Sequence, residues 1–170
     1  YPLSSRQLGL WLYQQKEPDS SLYNVCTSFL VSTSLNSEQI GNVACAVLDS
    51  HPAFRTSIVF NEGKAEQFIA EQWQREIITL NENQAISLEE QLKVLNKKPF
   101  DVSNGELARI HIIACADNKY LVNFNLHHLV GDASTAKVLS TTLSDFLYQQ
   151  SENQKIVCNH YSAEYYMSNL

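Results

Sequence analysis

The sequence has little proline, little glycine and a single methionine, with 4, 5 and 1 copies in 170 residues. That excludes a collagen-like or low-complexity disordered chain. No hydrophobic run approaches the roughly 18 residues of a membrane span. The opening Tyr1-Pro2-Leu3-Ser4 has neither the basic start nor the apolar core of a signal peptide, and no membrane partner is expected. It also lacks an initial Met, so a piece of a longer chain is expected. Basic residues are scarce too: 12 Lys and Arg face 18 Asp and Glu, a net charge of −6, with no basic stripe. Nucleic acid is therefore excluded as a partner. The four cysteines, Cys26, Cys45, Cys115 and Cys158, form no C-x-x-C pair, so neither a zinc site nor a redox motif is indicated. Three of them lie in apolar segments and read as small core residues. A reducing, cytoplasmic setting is expected.

What is present is a chain with 44% hydrophobic residues, enough for one domain or one lobe of a larger enzyme. Ser4 and Gln7 have capping-box spacing ahead of Leu8, Trp11 and Leu12, which predicts a short first helix. Tyr23 to Ser32 reads as a strand. Ile40, Val43, Ala44, Val47 and Leu48 fall on one helical face, predicting a helix from Ser37 to Ser50 that His51-Pro52 ends. Phe54 to Phe60 and Ala65 to Ala70 read as a hairpin joined at Asn61-Glu62-Gly63-Lys64. A short strand is expected over Glu76 to Leu80. Ser87 and Glu90 form a second capping box, above Leu88, Leu92 and Leu95, and Pro99 stops that helix. Leu107 to Cys115 and Lys119 to Leu126 read as a hairpin turning at Asp117-Asn118. Asp132 is placed as the cap of a last helix reaching Gln150, with Ala136, Leu139, Leu143 and Leu147 buried. The polar Ser151 to Lys155 stretch leads onward. The mixture of helices and antiparallel pairs predicts an α+β fold, a two-layer α/β sandwich.

The stretch with chemical content is Leu126-His127-His128-Leu129-Val130-Gly131-Asp132-Ala133. Adjacent residues at a strand end point to opposite faces, so one histidine can face a cleft while the other packs inward. A histidine suits acid/base work because its pKa lies near neutrality. On these residues alone two readings stand. One is a packed or surface pair with Asp132 as a helix cap; the other is an acid/base site. No metal site is expected, because the two rings point apart and no third ligand has suitable spacing.

His127 to Ala133 resembles the HHxxxDG signature of nonribosomal peptide synthetase condensation domains. Tyr1 to Trp11 is similar to that family's opening YPLSxAQxRLW, Ser50 to Thr56 to its RHExLRT stretch, and Pro99 to Arg109 to its PFDLxxGPLxR stretch. The matches are collinear over essentially the whole chain. Gly9 stands where the opening pattern has Arg, Ser50 and Pro52 replace the Arg and Glu of the second stretch, and Ala133 replaces the signature glycine.

The resemblance implies one lobe of a chloramphenicol acetyltransferase-like fold, with residues 1–150 as the N-terminal lobe and 151–170 as a linker or the start of the C-terminal lobe. His160 to Tyr166 is similar to the segment that opens that second lobe. It implies amide-bond formation between a donor acyl or peptidyl thioester and an acceptor aminoacyl thioester. Both arrive on the phosphopantetheine of carrier domains, and no cofactor is bound directly. Donor and acceptor carrier domains, neighbouring synthetase domains and the C-terminal lobe are the implied partners. His128 matches the catalytic histidine and His127 the structural one. Asp132 matches an aspartate that fixes the loop, typically through an arginine, for which Arg55, Arg109 or a residue of the other lobe qualifies. Ala133 adds a methyl beside the substrate channel and is expected to narrow it. Three alternatives are a CoA-dependent acyltransferase of the same fold, a non-catalytic recruitment domain, and an epimerization or cyclization relative. The intact histidines and the three further motifs favour condensation.

Overall fold

The computed structural model describes residues 1–71, 77–82, 85–103, 105, 107–151 and 157–161. The elements run α1 (Ser5–Lys16), β1 (Asn24–Ser32), α2 (Ser37–Asp49), a 3₁₀ turn (Pro52–Arg55), β2 (Thr56–Asn61), β3 (Lys64–Ile69), β4 (Ile77–Asn81), α3 (Leu88–Asn96), β5 (Ala108–Cys115), β6 (Lys119–His127), α4 (Thr135–Gln150) and β7 (Val157–Tyr161). One sheet has the order β4-β5-β6-β1-β7, and β2-β3 forms a separate hairpin. All pairs are antiparallel except β4 with β5.

Local chemistry explains most of these boundaries. Reciprocal capping boxes open α1 at Ser4 with Gln7, α2 at Asn36 with Gln39, and α3 at Ser87 with Glu90. The β5-β6 turn needs left-handed backbone at two successive residues, Asp117 (φ 59°) and Asn118 (φ 53°), residue types that accept it. The β2-β3 turn uses Glu62 (φ 48°) and Gly63 (φ 80°). Pro52 converts the start of the segment expected to be extended from Phe54 into a 3₁₀ turn, and β2 begins only at Thr56.

The sheet has two unlike faces. Phe29, Val31, Ile110, Ile112, Val122, Phe124 and Leu126 point to one side, where α2 and α4 cover them and complete the main core. The other side carries the intervening residues Ser28, Arg109, His111, Asn123, Asn125 and His127, all buried. Buried polar atoms need partners. Asn123 supplies several: its Oδ1 accepts from the Ser28 hydroxyl at 2.8 Å, and its Nδ2 donates to Asn96 Oδ1 at 2.8 Å and meets His111 Nδ1 at 2.9 Å. A small apolar cluster of Leu92, Ile113 and Leu121 anchors α3 over the same side. Cys26, expected in the core, lies on this polar side, with its Sγ 3.3 Å from Asn125 Oδ1.

β7 extends the sheet beyond β1, pairing Ser28 with Tyr161 and Ser32 with Val157. It lies in the stretch expected to be a linker or the start of the C-terminal lobe. Glu76, Asn104, Glu106, the 152–155 stretch and residues 162–170 lie outside the described residues.

Candidate active site

His127 is the last residue of β6, and the chain then turns at 128–130 before α4. Strand alternation sends His127 into the polar side of the sheet, where it has no exposure. Its Nδ1 accepts the Leu129 backbone N–H at 3.1 Å, and its Nε2 lies 3.3 Å from Gln14 Oε1. The Gln14 amide nitrogen donates to the carbonyls of Glu17, Pro18 and Ser20, which fixes its oxygen toward the ring. The neutral Nε2–H tautomer satisfies both ring nitrogens; a second proton on Nδ1 would face the Leu129 N–H. Burial, and secondarily the neighbouring His128, push the His127 pKa down from 6.5 to about 4.

His128 is held in the opposite tautomer. Its backbone N–H donates to the Tyr23 carbonyl at 2.8 Å. Its Nδ1 lies 2.7 Å from the Gly131 carbonyl, which can only accept, so Nδ1 carries the proton. Nε2 then holds a lone pair, and Arg6 Nη2 donates to it at 3.3 Å. The half-buried ring opens onto a cleft of about 380 Å³ lined by Arg6, Gln7, Thr56, Gln67 and the 128–132 turn. Gly131 is needed for packing as well: a Cβ there would sit 3.0 Å from Leu126 Cδ1.

Asp132 does not cap α4 as expected. That helix starts at Thr135, after Ser134, whose side chain makes no capping hydrogen bond. The Asp132 carboxylate instead accepts from the Ser134 backbone N–H at 2.9 Å and the Ser134 hydroxyl at 2.6 Å. The Asp132 N–H and C=O close the turn through Thr135 Oγ1 and the Thr135 N–H. This Asx-type turn takes up the residues expected to begin the helix. The two Ser134 donors hold the Asp132 carboxyl below the usual aspartate range.

Neither arginine proposed for Asp132 reaches it. Arg55 donates from Nε to the Asp49 carbonyl at 3.0 Å and from Nη1 to the carbonyls of Ala70 and Glu71, tying the end of α2 to the end of the β2-β3 hairpin. Arg109 donates to the Lys98 and Pro99 carbonyls and stacks over Phe100 at 4.0 Å. Ala133 is exposed, between Asp132 and Ser134, which both line the cleft. Among the described residues, no group of three His, Cys, Asp or Glu could hold a metal ion.

Sequence reasoning missed Arg6, Gln14 and Tyr23. Arg6 stands where the opening pattern YPLSxAQxRLW has Ala, a visible departure. Gln14 reaches His127 only through the folding of α1 against the end of β6, and Tyr23 meets His128 where the chain enters β1, the strand paired with β6; the sequence carries no local sign of either contact.

The chain matches the condensation-domain family model over residues 1–167, and it belongs to that family. It is 29% identical over 155 residues to tyrocidine synthase 2 of Brevibacillus parabrevis, covering 89% of this chain and 4% of that protein. Among solved structures it is similar to a variant of the starter condensation domain of the rhizomide synthetase RzmA. The TM-score there is 0.80 at 17% identity, covering 92% of this chain and 39% of that one, which shows the fold. The four-domain nonribosomal peptide synthetase AB3403 gives a TM-score of 0.71 at 26% identity, covering 91% of this chain and 13% of that one.

Proposed function

We propose that this chain is the N-terminal lobe of a condensation domain that joins a donor acyl or peptidyl thioester to an acceptor aminoacyl thioester. Both substrates arrive on the phosphopantetheine arms of carrier domains. A second lobe, following residues 1–150 and the β7 strand that joins their sheet, supplies the other wall of the cleft. The observation that carries the reading is the 2.7 Å contact of His128 Nδ1 with the Gly131 carbonyl, which assigns the proton to Nδ1 and leaves Nε2, beside Arg6, as the nitrogen offered to the cleft.

In this reading the acceptor amine hydrogen-bonds to Nε2 and attacks the donor carbonyl. The C–N bond forms and the C–S bond breaks. The nitrogen loses a proton through Nε2, and the departing thiolate takes one up. Holding the amine at a fixed imidazole turns a bimolecular encounter into a local one, worth several kcal/mol of barrier. His127 is the structural partner: buried and neutral, it pins the turn on which His128 sits. Asp132 closes the following turn. Arg55 serves the scaffold behind the cleft.

The test is reconstitution of the complete domain with a loaded donor carrier and a panel of loaded acceptor carriers. Amide product on the acceptor arm is the expected result. Carrier binding without product across the panel would favour the recruitment reading.

A further inference from the structure

Arg6 lines the cleft and takes no part in the proton transfer at His128. It lies in the first turn of α1, which has no acidic residue, and there a cation opposes the positive end of the helix dipole. Among the described residues its side chain bonds only to His128 Nε2, and no carboxylate pairs with it. Asp132 lines the same cleft, but its carboxylate accepts from Ser134 and Thr135.

The guanidinium therefore caps the very lone pair that an incoming amine has to reach. While Arg6 donates to Nε2, that site is filled. The side chain is exposed and long, so it can leave if a better acceptor takes its N–H groups. A carboxylate is the best match to a guanidinium, because it accepts two parallel, charge-assisted bonds where imidazole accepts one. A neutral amide offers a single carbonyl oxygen and no charge. The phosphate of a carrier arm lies at the far end of that arm from the thioester, so it is not the anion brought to His128.

We propose that Arg6 is a specificity-determining residue that selects an acceptor aminoacyl group bearing a side-chain carboxylate. The carboxylate draws the guanidinium away from His128 as the amine arrives, so the acceptor nitrogen of the site is uncovered by the substrate that fits it. The inference rests on the condensation reading of the cleft.

The experiment uses the complete domain, as wild type and as Arg6→Ala, in two arms. In the first, calorimetry compares the N-acetylcysteamine thioesters of aspartate and glutamate with those of asparagine and glutamine. In the second, the same four residues are offered on the acceptor carrier and condensation is timed. Wild type should bind the acid over its isosteric amide by about tenfold or more for aspartate or glutamate, and Arg6→Ala should bring that ratio to near one. Equal binding of acids and amides by wild type, or an unchanged preference in Arg6→Ala, would overturn the proposal. Turnover with amides as fast as with acids would overturn it too while leaving the condensation reading intact. Acid-selective binding lost in Arg6→Ala, with no amide product from any acceptor, would leave Arg6 as an anion-selecting residue and remove the condensation reading.

Discussion

Acidification from pH 6.5 toward 4 should weaken this fold, and His127 should account for much of the loss. The imidazole has no exposure, and both ring nitrogens are satisfied only in the neutral form. Its pKa is 6.5 when unfolded and about 4 in the fold. Because the folded value is the lower one, the unfolded chain binds a proton between those limits that the folded chain refuses. Stability is then flat above pH 6.5 and falls as the pH drops toward 4. At 1.36 kcal/mol per unit, the full span amounts to about 3 kcal/mol. That is a large share of the 5–15 kcal/mol typical of a domain. Urea unfolding of wild type and His127→Asn across pH 4 to 7.5 isolates the effect, since the other histidines remain in both. The variant should be less stable at pH 7.5, and the gap should close by about 3 kcal/mol as the pH falls. Parallel pH profiles for the two proteins would refute the neutral, buried assignment of His127.

The turn that carries His128 gives two further expectations. Gly131→Ala should lower thermal stability by about 1–3 kcal/mol, because the new Cβ meets Leu126 Cδ1 at 3.0 Å and Leu126 is 1% exposed, with little room to shift; a melt unchanged from wild type would contradict this packing. Asp132→Ala should cost only about 1 kcal/mol, since it loses hydrogen bonds to Ser134 at an exposed turn and no ion pair with a described arginine. A loss of 3–5 kcal/mol in thermal or urea unfolding would instead indicate a buried charge partner.

The elements written in local pattern were legible in the sequence. The spacing of Ile40, Val43, Ala44, Val47 and Leu48 specifies α2, and the Asp117-Asn118 turn specifies the β5-β6 hairpin. The histidine pair was legible too, because strand alternation alone separates His127 from His128. What escaped depends on residues distant in sequence. β7 gains its place only by pairing with β1, from Ser32 with Val157 to Ser28 with Tyr161, far apart in the sequence. The polar side of the sheet is spread over three strands and Asn96, so Asn123 and Asn125 look like ordinary polar alternation until the strands are aligned. Asp132 was misplaced for a local reason: Ser134 and Thr135 donate to its carboxylate, Thr135 Oγ1 accepts its N–H, and together they close a turn before the helix can begin. Arg6 reaches His128 across 122 positions, and only the docking of α1 brings the two together.

Single-turnover condensation by the complete domain with His128 replaced tests the role of this histidine most directly. With donor and acceptor carriers loaded, His128→Ala should lose at least about a hundredfold in the rate of amide formation, the scale of a removed acid/base or positioning group, while its thermal melt stays near wild type. A variant that condenses at close to the wild-type rate would show that the Nε2 lone pair facing this cleft is not where the amine is held.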